Sequence, residues 1–211
     1  MSKRSETRRW LERHRSDPYV RAAQAQKYRS RAVYKLAEVD EHDRLLRGKR
    51  SIIDLGCAPG GWSQYCAAHC SKARIIALDR LSMEPVPGVE FLQADFAEQA
   101  GLDALLTALG NSRADLVLSD MAPNLTGIRV ADQAGVMQLA ELALDLCGEV
   151  CADDGDLLIK VFQGEGFDAL LKLMRQRFAR VHVRKPQASR DTSREMYLLG
   201  RNWRGNSSAL L

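Results

Sequence analysis

The sequence predicts an α/β fold in which a mostly parallel, seven-stranded sheet carries helices on both faces and has an antiparallel strand at its C-terminal end. Short apolar, β-branched runs alternate with helical stretches through the middle of the chain. Such near-continuous apolar strands are typical of a parallel sheet that helices cover on both sides. The last two strand-like runs follow one another with no helix between them, which indicates antiparallel pairing.

Taken in chain order, the strand and helix signals alternate until the last helix, and then two strands follow. The predicted strands are Ser51–Leu55, Arg74–Leu78, Val89–Leu92, Asp115–Ser119, Asp156–Phe162, Arg180–Arg184 and Glu195–Gly200. The predicted helices are one that Ser30 caps and that ends near Asp43, and then Trp62–Cys70, Leu102–Leu109, Ala134–Cys151 and Phe167–Phe178.

The length of 211 residues, with 45% hydrophobic and 27% charged residues, suits one domain that buries a core. We predict a basic extension over residues 1–29, the domain over residues 30–200 and a tail over residues 201–211. The longest apolar segment carries an acidic residue at every fourth position, so we expect no membrane span. The N-terminus lacks the apolar stretch of a secretory signal, and we therefore expect a cytoplasmic protein.

Charge is strongly segregated along the chain. Residues 1–35 carry a net charge of +8, residues 172–211 also +8, and residues 36–171 carry −12. Basic ends of this kind indicate contact with a polyanion, and aromatic residues interleaved with the N-terminal arginines favour nucleic acid. Those aromatic residues are Trp10, Tyr19, Tyr28 and Tyr34. The alternative is that the ends are simply solvated.

The five cysteines are odd in number and include no C-x-x-C pair. This pattern predicts neither a disulfide framework nor a zinc ribbon, and we expect buried reduced thiols and no metal. A metal site at Cys66 and Cys70, with His69 beside them, is the less favoured alternative.

A glycine-rich turn, Asp54-Leu-Gly-Cys-Ala-Pro-Gly-Gly-Trp62, joins the first strand to a helix. Its spacing is neither that of a P-loop nor the G-x-G-x-x-G of dinucleotide enzymes, and Pro59 removes an amide that could bind pyrophosphate. Asp79 and Asp95 end or follow the next two strands, where they could bind ribose hydroxyls and an adenine amino group. S-adenosylmethionine fits this pattern better than NAD, and a scaffold without cofactor is a further alternative.

Lys160 lies in a strand that is otherwise apolar. Burial favours the neutral form of a lysine, which is how lysines become general bases, and Asp120 at the end of the neighbouring strand is the expected partner. The segment after Asp120 lacks the Pro-Pro-aromatic clamp of base-methylating enzymes, so an alcohol such as a ribose 2′-hydroxyl is the expected acceptor. The alternative is a lysine that extends from the strand end to water.

Four segments together resemble the FtsJ family of ribosomal RNA 2′-O-methyltransferases. They are Asp54–Gln64, Ser119-Asp-Met-Ala-Pro-Asn124, Lys160-Val-Phe-Gln-Gly-Glu-Gly166 and Ser193-Arg-Glu-Met-Tyr197. The resemblance implies a Rossmann-like, S-adenosylmethionine-dependent methyltransferase fold. It also implies 2′-O-methylation of a uridine in 23S ribosomal RNA within the large ribosomal subunit, by a monomer that binds neither DNA nor a membrane.

The resemblance also implies the site residues. The family's catalytic tetrad matches Lys35, Asp120, Lys160 and Glu195, and its cofactor contacts match Gly60, Trp62, Asp79, Asp95 and Asp120. Cys57 stands where related enzymes usually carry alanine, and the resemblance does not cover Trp203–Leu211. The alternatives are an RNA-binding assembly factor without catalysis, a methyltransferase acting on another RNA, and one acting on a small molecule.

Overall fold

The computed structural model describes residues 17–123, 126–189 and 193–205. Its seven strands form one sheet in the order β3-β2-β1-β4-β5-β7-β6. The strands are β1 (Ser51–Leu55), β2 (Arg74–Asp79), β3 (Val89–Gln93), β4 (Ala114–Ser119), β5 (Cys151–Phe162), β6 (Phe178–Arg184) and β7 (Glu195–Trp203). The first five pair in parallel, and β7 is antiparallel to both β5 and β6. The predicted α/β architecture is therefore confirmed.

Six helices are described, on both sides of the sheet. They are α1 (Pro18–Ala25), α2 (Val33–Asp43), α3 (Gly61–His69), α4 (Gln99–Leu109), α5 (Arg129–Val150) and α6 (Phe167–Arg177). One apolar cluster joins one face of the sheet to α4, α5 and α6. A second cluster joins the other face to α2 and α3. Among the described residues, no helix combines the length and apolar character that a membrane span requires.

Several predicted boundaries were wrong. Ser30 does not cap α2, which begins at Val33 with Ala32 as the residue before it and no side-chain hydrogen bond at that end. Strand β5 begins five residues earlier than predicted, and β7 continues three residues beyond Gly200. In β7 the extension occurs because Trp203 is buried against Phe178 of β6, with ring centroids 4.9 Å apart.

Helix α1 lies within the segment that the sequence predicts to be a basic extension. Asp17 accepts a hydrogen bond from the Tyr19 backbone N–H and precedes Pro18, a favourable residue at a helix start. The tyrosines of this region contact one another, with Tyr34 5.4 Å from Tyr19 and 6.2 Å from Tyr28 between ring centroids. Trp10 lies outside the described residues.

Candidate active site

A cavity of about 430 Å³ opens at the carboxyl ends of β1, β2, β3 and β4. Its volume is within the usual range for a small-molecule site, and its place in the sheet is where open α/β folds bind ligands. The walls come from the glycine-rich turn, the segments after β2, β3 and β4, and one side of α5. The lining residues include Gly56, Ala58, Asp79, Leu81, Asp95, Phe96, Asp120, Met121, Gly135 and Gln138.

Two glycines of the glycine-rich turn have a positive φ, and one of them, Gly56, lines the cavity. Gly56 has φ +71°, and a Cβ atom there would lie 2.2 Å from Cγ of Met121. Gly60 has φ +102° and precedes the first turn of α3. The turn is held to β2 by Asp79, whose Oδ2 accepts a 2.9 Å hydrogen bond from the Ala58 backbone N–H.

Three predicted cofactor residues, Asp79, Asp95 and Asp120, line this cavity. Each of the first two has one carboxylate oxygen fixed by the loop that follows it. Asp79 Oδ1 accepts from the Leu81 N–H at 2.8 Å, and Asp95 Oδ1 accepts from the Ala97 N–H at 3.0 Å. These bonds orient the two carboxylates at the carboxyl-end cavity.

Gly60 and Trp62 are not among the residues that line the cavity. The Trp62 indole is buried beneath the site, 5.8 Å from the Tyr197 ring between centroids, and its Nε1 donates to the Ala32 carbonyl at 2.7 Å. Their cofactor roles stay predictions.

Asp54 lies beneath the turn and is almost fully buried. Its Oδ2 accepts a 2.6 Å hydrogen bond from the Ser63 hydroxyl. Burial, together with the negative charges of Asp120 and Asp79, raises the pKa of Asp54 to about 7, although the Ser63 bond opposes the shift. Asp54 is therefore a buried carboxyl group behind the turn, and it is not among the residues that line the cavity.

Beside the cavity, the four predicted tetrad residues form two lysine–carboxylate pairs, which we call the lysine–acid site. Lys160 Nζ lies 3.1 Å from Asp120 Oδ1 and also donates to the Asp120 carbonyl. Lys35 Nζ lies 2.8 Å from Oε1 and 2.9 Å from Oε2 of Glu195. The structure thus brings together residues that are as many as 160 positions apart.

Tyr197 joins the two pairs, and the sequence did not identify it as a site residue. Its hydroxyl donates a 2.6 Å hydrogen bond to Asp120 Oδ1, and Lys35 Nζ lies 6.0 Å from its ring centroid. Tyr197 is directly opposite Lys160 in the β5–β7 pairing, so the two side chains are on the same face of the sheet. Strand alternation, which places Tyr197 on the face of Glu195, was the signal that could have identified it.

Charge compensation keeps the buried Asp120 carboxylate ionised. Burial alone would raise the pKa of Asp120, but the ammonium groups of Lys160 and Lys35 and the Tyr197 hydrogen bond lower it below its usual value. The pKa of Tyr197 is raised well above its usual value by burial and by the charges of Asp120 and Glu195. Tyr197 therefore remains a neutral hydrogen-bond donor.

A smaller cavity of about 240 Å³ opens onto the Lys35–Glu195 pair, with Arg31, Ala32 and Ser193 as its other lining residues. Glu195 is fixed from below by Ser189, whose buried hydroxyl donates to Oε1 at 2.8 Å. The Glu195 backbone N–H donates to the Ser193 hydroxyl oxygen at 3.1 Å. The lysine–acid site thus lies between two cavities, one at the carboxyl ends of the central strands and one next to the basic N-terminal segment.

The five cysteines are free and buried. Burial raises the pKa of Cys57, Cys66, Cys70 and Cys147, which makes these thiols poor nucleophiles. Within the described ranges, no cluster of three or more histidine, cysteine or acidic residues is arranged to hold a metal ion. The lysine–acid site is therefore the feature with the clearest catalytic chemistry.

Comparisons with known proteins agree with this geometry. The model of the FtsJ-like methyltransferase family matches residues 28–203. A Pseudomonas fluorescens protein named ribosomal RNA large subunit methyltransferase E is 53% identical over 208 residues, which cover 98% of this chain and all of that protein. A Marinobacter nauticus protein of the same name is 48% identical over 205 residues, covering 97% of this chain and 99% of that one.

A similar solved structure is that of a ribosomal RNA methyltransferase from Plasmodium falciparum. It superposes with a TM-score of 0.76 at 30% identity and covers 84% of this chain and all of that chain. The family match spans the glycine-rich turn and all four residues of the lysine–acid site. This chain belongs to the FtsJ-like methyltransferase family.

Proposed function

We propose that this protein transfers a methyl group from S-adenosylmethionine to the ribose 2′-hydroxyl of a uridine in 23S ribosomal RNA of the large ribosomal subunit. The observation that carries the proposal is the Lys160–Asp120 pair at the edge of the carboxyl-end cavity, joined through Tyr197 to Lys35 and Glu195. The names of the relatives support ribosomal RNA as the substrate. Such a substrate places the reaction in the cytoplasm.

The residues of the carboxyl-end cavity fit S-adenosylmethionine. Carboxylates of Asp79 and Asp95 suit ribose hydroxyls and an adenine amino group. Together with Asp120 they make the lining acidic, which suits a ligand with cationic sulfonium and ammonium groups. The absence of a side chain at Gly56 leaves room for the Met121 side chain, which lines the same cavity. When bound, the cofactor supplies an electrophilic methyl carbon.

Lys160 has two possible tasks at the acceptor hydroxyl, and both follow from its position. As a neutral amine, Nζ accepts the proton of the ribose 2′-hydroxyl while that oxygen forms its bond to the methyl carbon and the methyl–sulfur bond breaks. As an ammonium, Nζ donates a hydrogen bond to the oxygen as negative charge develops on it. Asp120 holds Nζ in place, and Lys35 with Glu195 positions the ribose from the smaller cavity.

The test is methyl transfer by Lys160→Ala. We expect its affinities for cofactor and RNA to stay within a few fold of the unmodified protein, and its transfer rate to fall by ~10²–10⁴, the usual effect of losing a general base. Lys35→Ala and Glu195→Ala should cost less. Lys172→Ala, at an exposed position of α6, is the matched control and should keep full activity.

An RNA with 2′-deoxyribose at the target nucleotide identifies the accepting atom. We expect this RNA to bind and to accept no methyl group. Transfer to it would place the methyl group on a base and contradict the proposal. Cofactor and RNA binding without transfer to any RNA would instead identify an assembly factor.

A further inference from the structure

A second concave surface lies at the end of the sheet opposite the lysine–acid site, and we call it the far-end groove. It has a volume of about 520 Å³ and is formed by the turn after α2, the turn after α3 and the residues that lead into β1. The lining includes Asp40, Glu41, Arg44, Arg47, Gly48, Lys49, His69, Ser71 and Lys72. Strands of five or six residues separate it from the carboxyl ends, a distance of roughly 17–20 Å at about 3.3 Å per residue.

The cations of the groove differ in whether they form an ion pair within the fold. Lys49 is committed to the fold, because its Nζ lies 2.6 Å from Asp156 Oδ2. The side chains of Arg44, Arg47 and Lys72 are exposed and have no hydrogen bond or ion pair with any of the residues that the structure describes. These three charges therefore face solvent without compensation.

Of the two acidic residues in the lining, Asp40 is directed inward. Its Oδ1 accepts a 2.8 Å hydrogen bond from the Leu46 backbone N–H, and its Oδ2 accepts from the Tyr65 hydroxyl at 3.2 Å. Glu41 remains exposed. Three unpaired cations against one exposed carboxylate leave the groove with a net positive surface.

This surface is unusual within its own part of the chain. Residues 36–171 carry a net charge of −12, yet residues 44–74 contain six lysines and arginines and only one acidic residue, the buried Asp54. The fold places three of this segment's exposed cations, Arg44, Arg47 and Lys72, around one concavity. Several exposed cations around one concavity are typical of a site that binds phosphate groups, and a merely solvated face does not require them to be grouped.

We infer that the far-end groove binds the phosphate backbone of a second segment of the ribosomal RNA, apart from the segment that carries the target nucleotide. The inference rests on the proposed function, which supplies the RNA. The far-end groove and the lysine–acid site are at opposite ends of the strands. A nucleotide bound at the lysine–acid site therefore cannot reach the groove. Both are occupied together only by an RNA that folds around the domain.

Arg44 and Lys72 also have a purely structural alternative. Each follows the C-terminus of a helix, where a positive charge stabilises the helix dipole. That role predicts a change in the unfolding temperature when they are replaced, without a change in how RNA binding depends on salt. The two roles therefore have separate measurements.

The experiment compares Arg44→Gln/Arg47→Gln/Lys72→Gln with a control that keeps all three charges, Arg44→Lys/Arg47→Lys/Lys72→Arg. Binding to a full-length 23S ribosomal RNA transcript is measured from 50 to 300 mM salt, and thermal unfolding of each variant is recorded. We expect the neutral variant to bind more than tenfold more weakly at low salt, and its log–log salt slope to fall by about 2–3 units, since each phosphate contact contributes about 0.7–0.9. The control should keep the slope.

Two results would overturn the inference. One is a neutral variant that binds RNA with the affinity and slope of the unmodified protein, including the case in which only its unfolding temperature has changed. The other is an equal loss of slope in the charge-retaining control, because phosphate contacts require only the charge. Failure of the proposed function would give a different result. The unmodified protein would then bind the transcript or large subunits and transfer no methyl group to either.

Discussion

Tyr197 lies next to both halves of the lysine–acid site. Its hydroxyl is bonded to Asp120, and its ring lies beside Lys35. Because Asp120 also holds Lys160, we expect loss of the Tyr197 hydrogen bond to alter the position of Lys160 Nζ. A neutral phenol is therefore part of the hydrogen-bond network of this charged site.

We predict that Tyr197→Phe lowers the methyl-transfer rate by about tenfold or more, since a hydrogen bond to a charged group is worth about 1.5–3 kcal/mol. Single-turnover transfer with saturating RNA and cofactor measures this effect. Tyr65→Phe is the matched control, because it loses a comparable bond to Asp40 away from the site. Equal losses in the two variants would indicate a general effect on stability.

Asp54 gives a pH dependence of stability whose sign follows from its pKa. Its pKa is about 7 in the folded protein, whereas the ordinary value of 3.8 applies to the unfolded chain. The folded state therefore holds the proton more tightly than the unfolded state. Its stabilising contribution is thus complete below about pH 4 and is lost as pH rises through about 7. Each pH unit in this window costs roughly 1.4 kcal/mol at most.

We expect Asp54→Asn to remove this dependence, because an amide keeps an acceptor for Ser63 and does not ionise. Urea unfolding of both proteins between pH 5 and pH 8 measures it, and the variant should gain on the unmodified protein as pH rises. Parallel pH curves would contradict the assignment.

At the scale of elements, the glycine-rich turn between β1 and α3 shapes the carboxyl-end cavity. We predict that Gly56→Ala weakens S-adenosylmethionine binding by more than tenfold, because the added Cβ would overlap Met121. Gly88→Ala is the control, since Gly88 also has a positive φ, +80°, but a Cβ there meets no atom within 4 Å. Calorimetry of both variants measures the effect, and equal cofactor affinities would show that the crowding at Met121 is harmless.

The elements themselves were largely predictable, whereas their ends were not. The apolar runs of β1 and β2 identify buried strands because both faces of the sheet are covered. Ser30 looked like a helix cap, but its side chain lies against Gly61, where a Cβ would be 2.5 Å from its Oγ. A cap depends on backbone geometry at one residue, and composition does not encode that geometry.

The same distinction holds for the site. Lys160 and Asp120 stood out because a charge in an apolar strand needs a partner, and the structure pairs them. Lys35 was suggested only by resemblance, since helical periodicity interprets it as a solvated flank. Its partner Glu195 is 160 residues away, and no local pattern connects residues on a helix and a distant strand.

At the scale of the whole molecule, Asp156 connects distant parts of the sheet. Its buried carboxylate lies 2.6 Å from Lys49, which leads into β1, and 3.2 Å from Arg201 of β7. It also accepts a 3.0 Å hydrogen bond from the Asn202 N–H. One acidic residue in β5 thus compensates cations from two segments about 150 residues apart.

We predict that Asp156→Ala lowers the free energy of unfolding by roughly 2–4 kcal/mol, because it leaves two cations without their shared counter-ion. The expected loss of stability is smaller than for breaking a fully buried ion pair, because a quarter of the Arg201 side chain is exposed. Asp153→Ala, at an exposed position of the same strand, should change stability by less than about 0.5 kcal/mol. Denaturant titration separates the two.

The strand order carries a consequence for biosynthesis. Strand β7 is inserted between β5 and β6, although the ribosome makes it after both. In a nascent chain that ends at β6, strands β5 and β6 therefore lack the strand that pairs with both of them. Such a chain also lacks Glu195 and Tyr197. The last strand to be synthesised thus closes the sheet and completes the lysine–acid site at the same time.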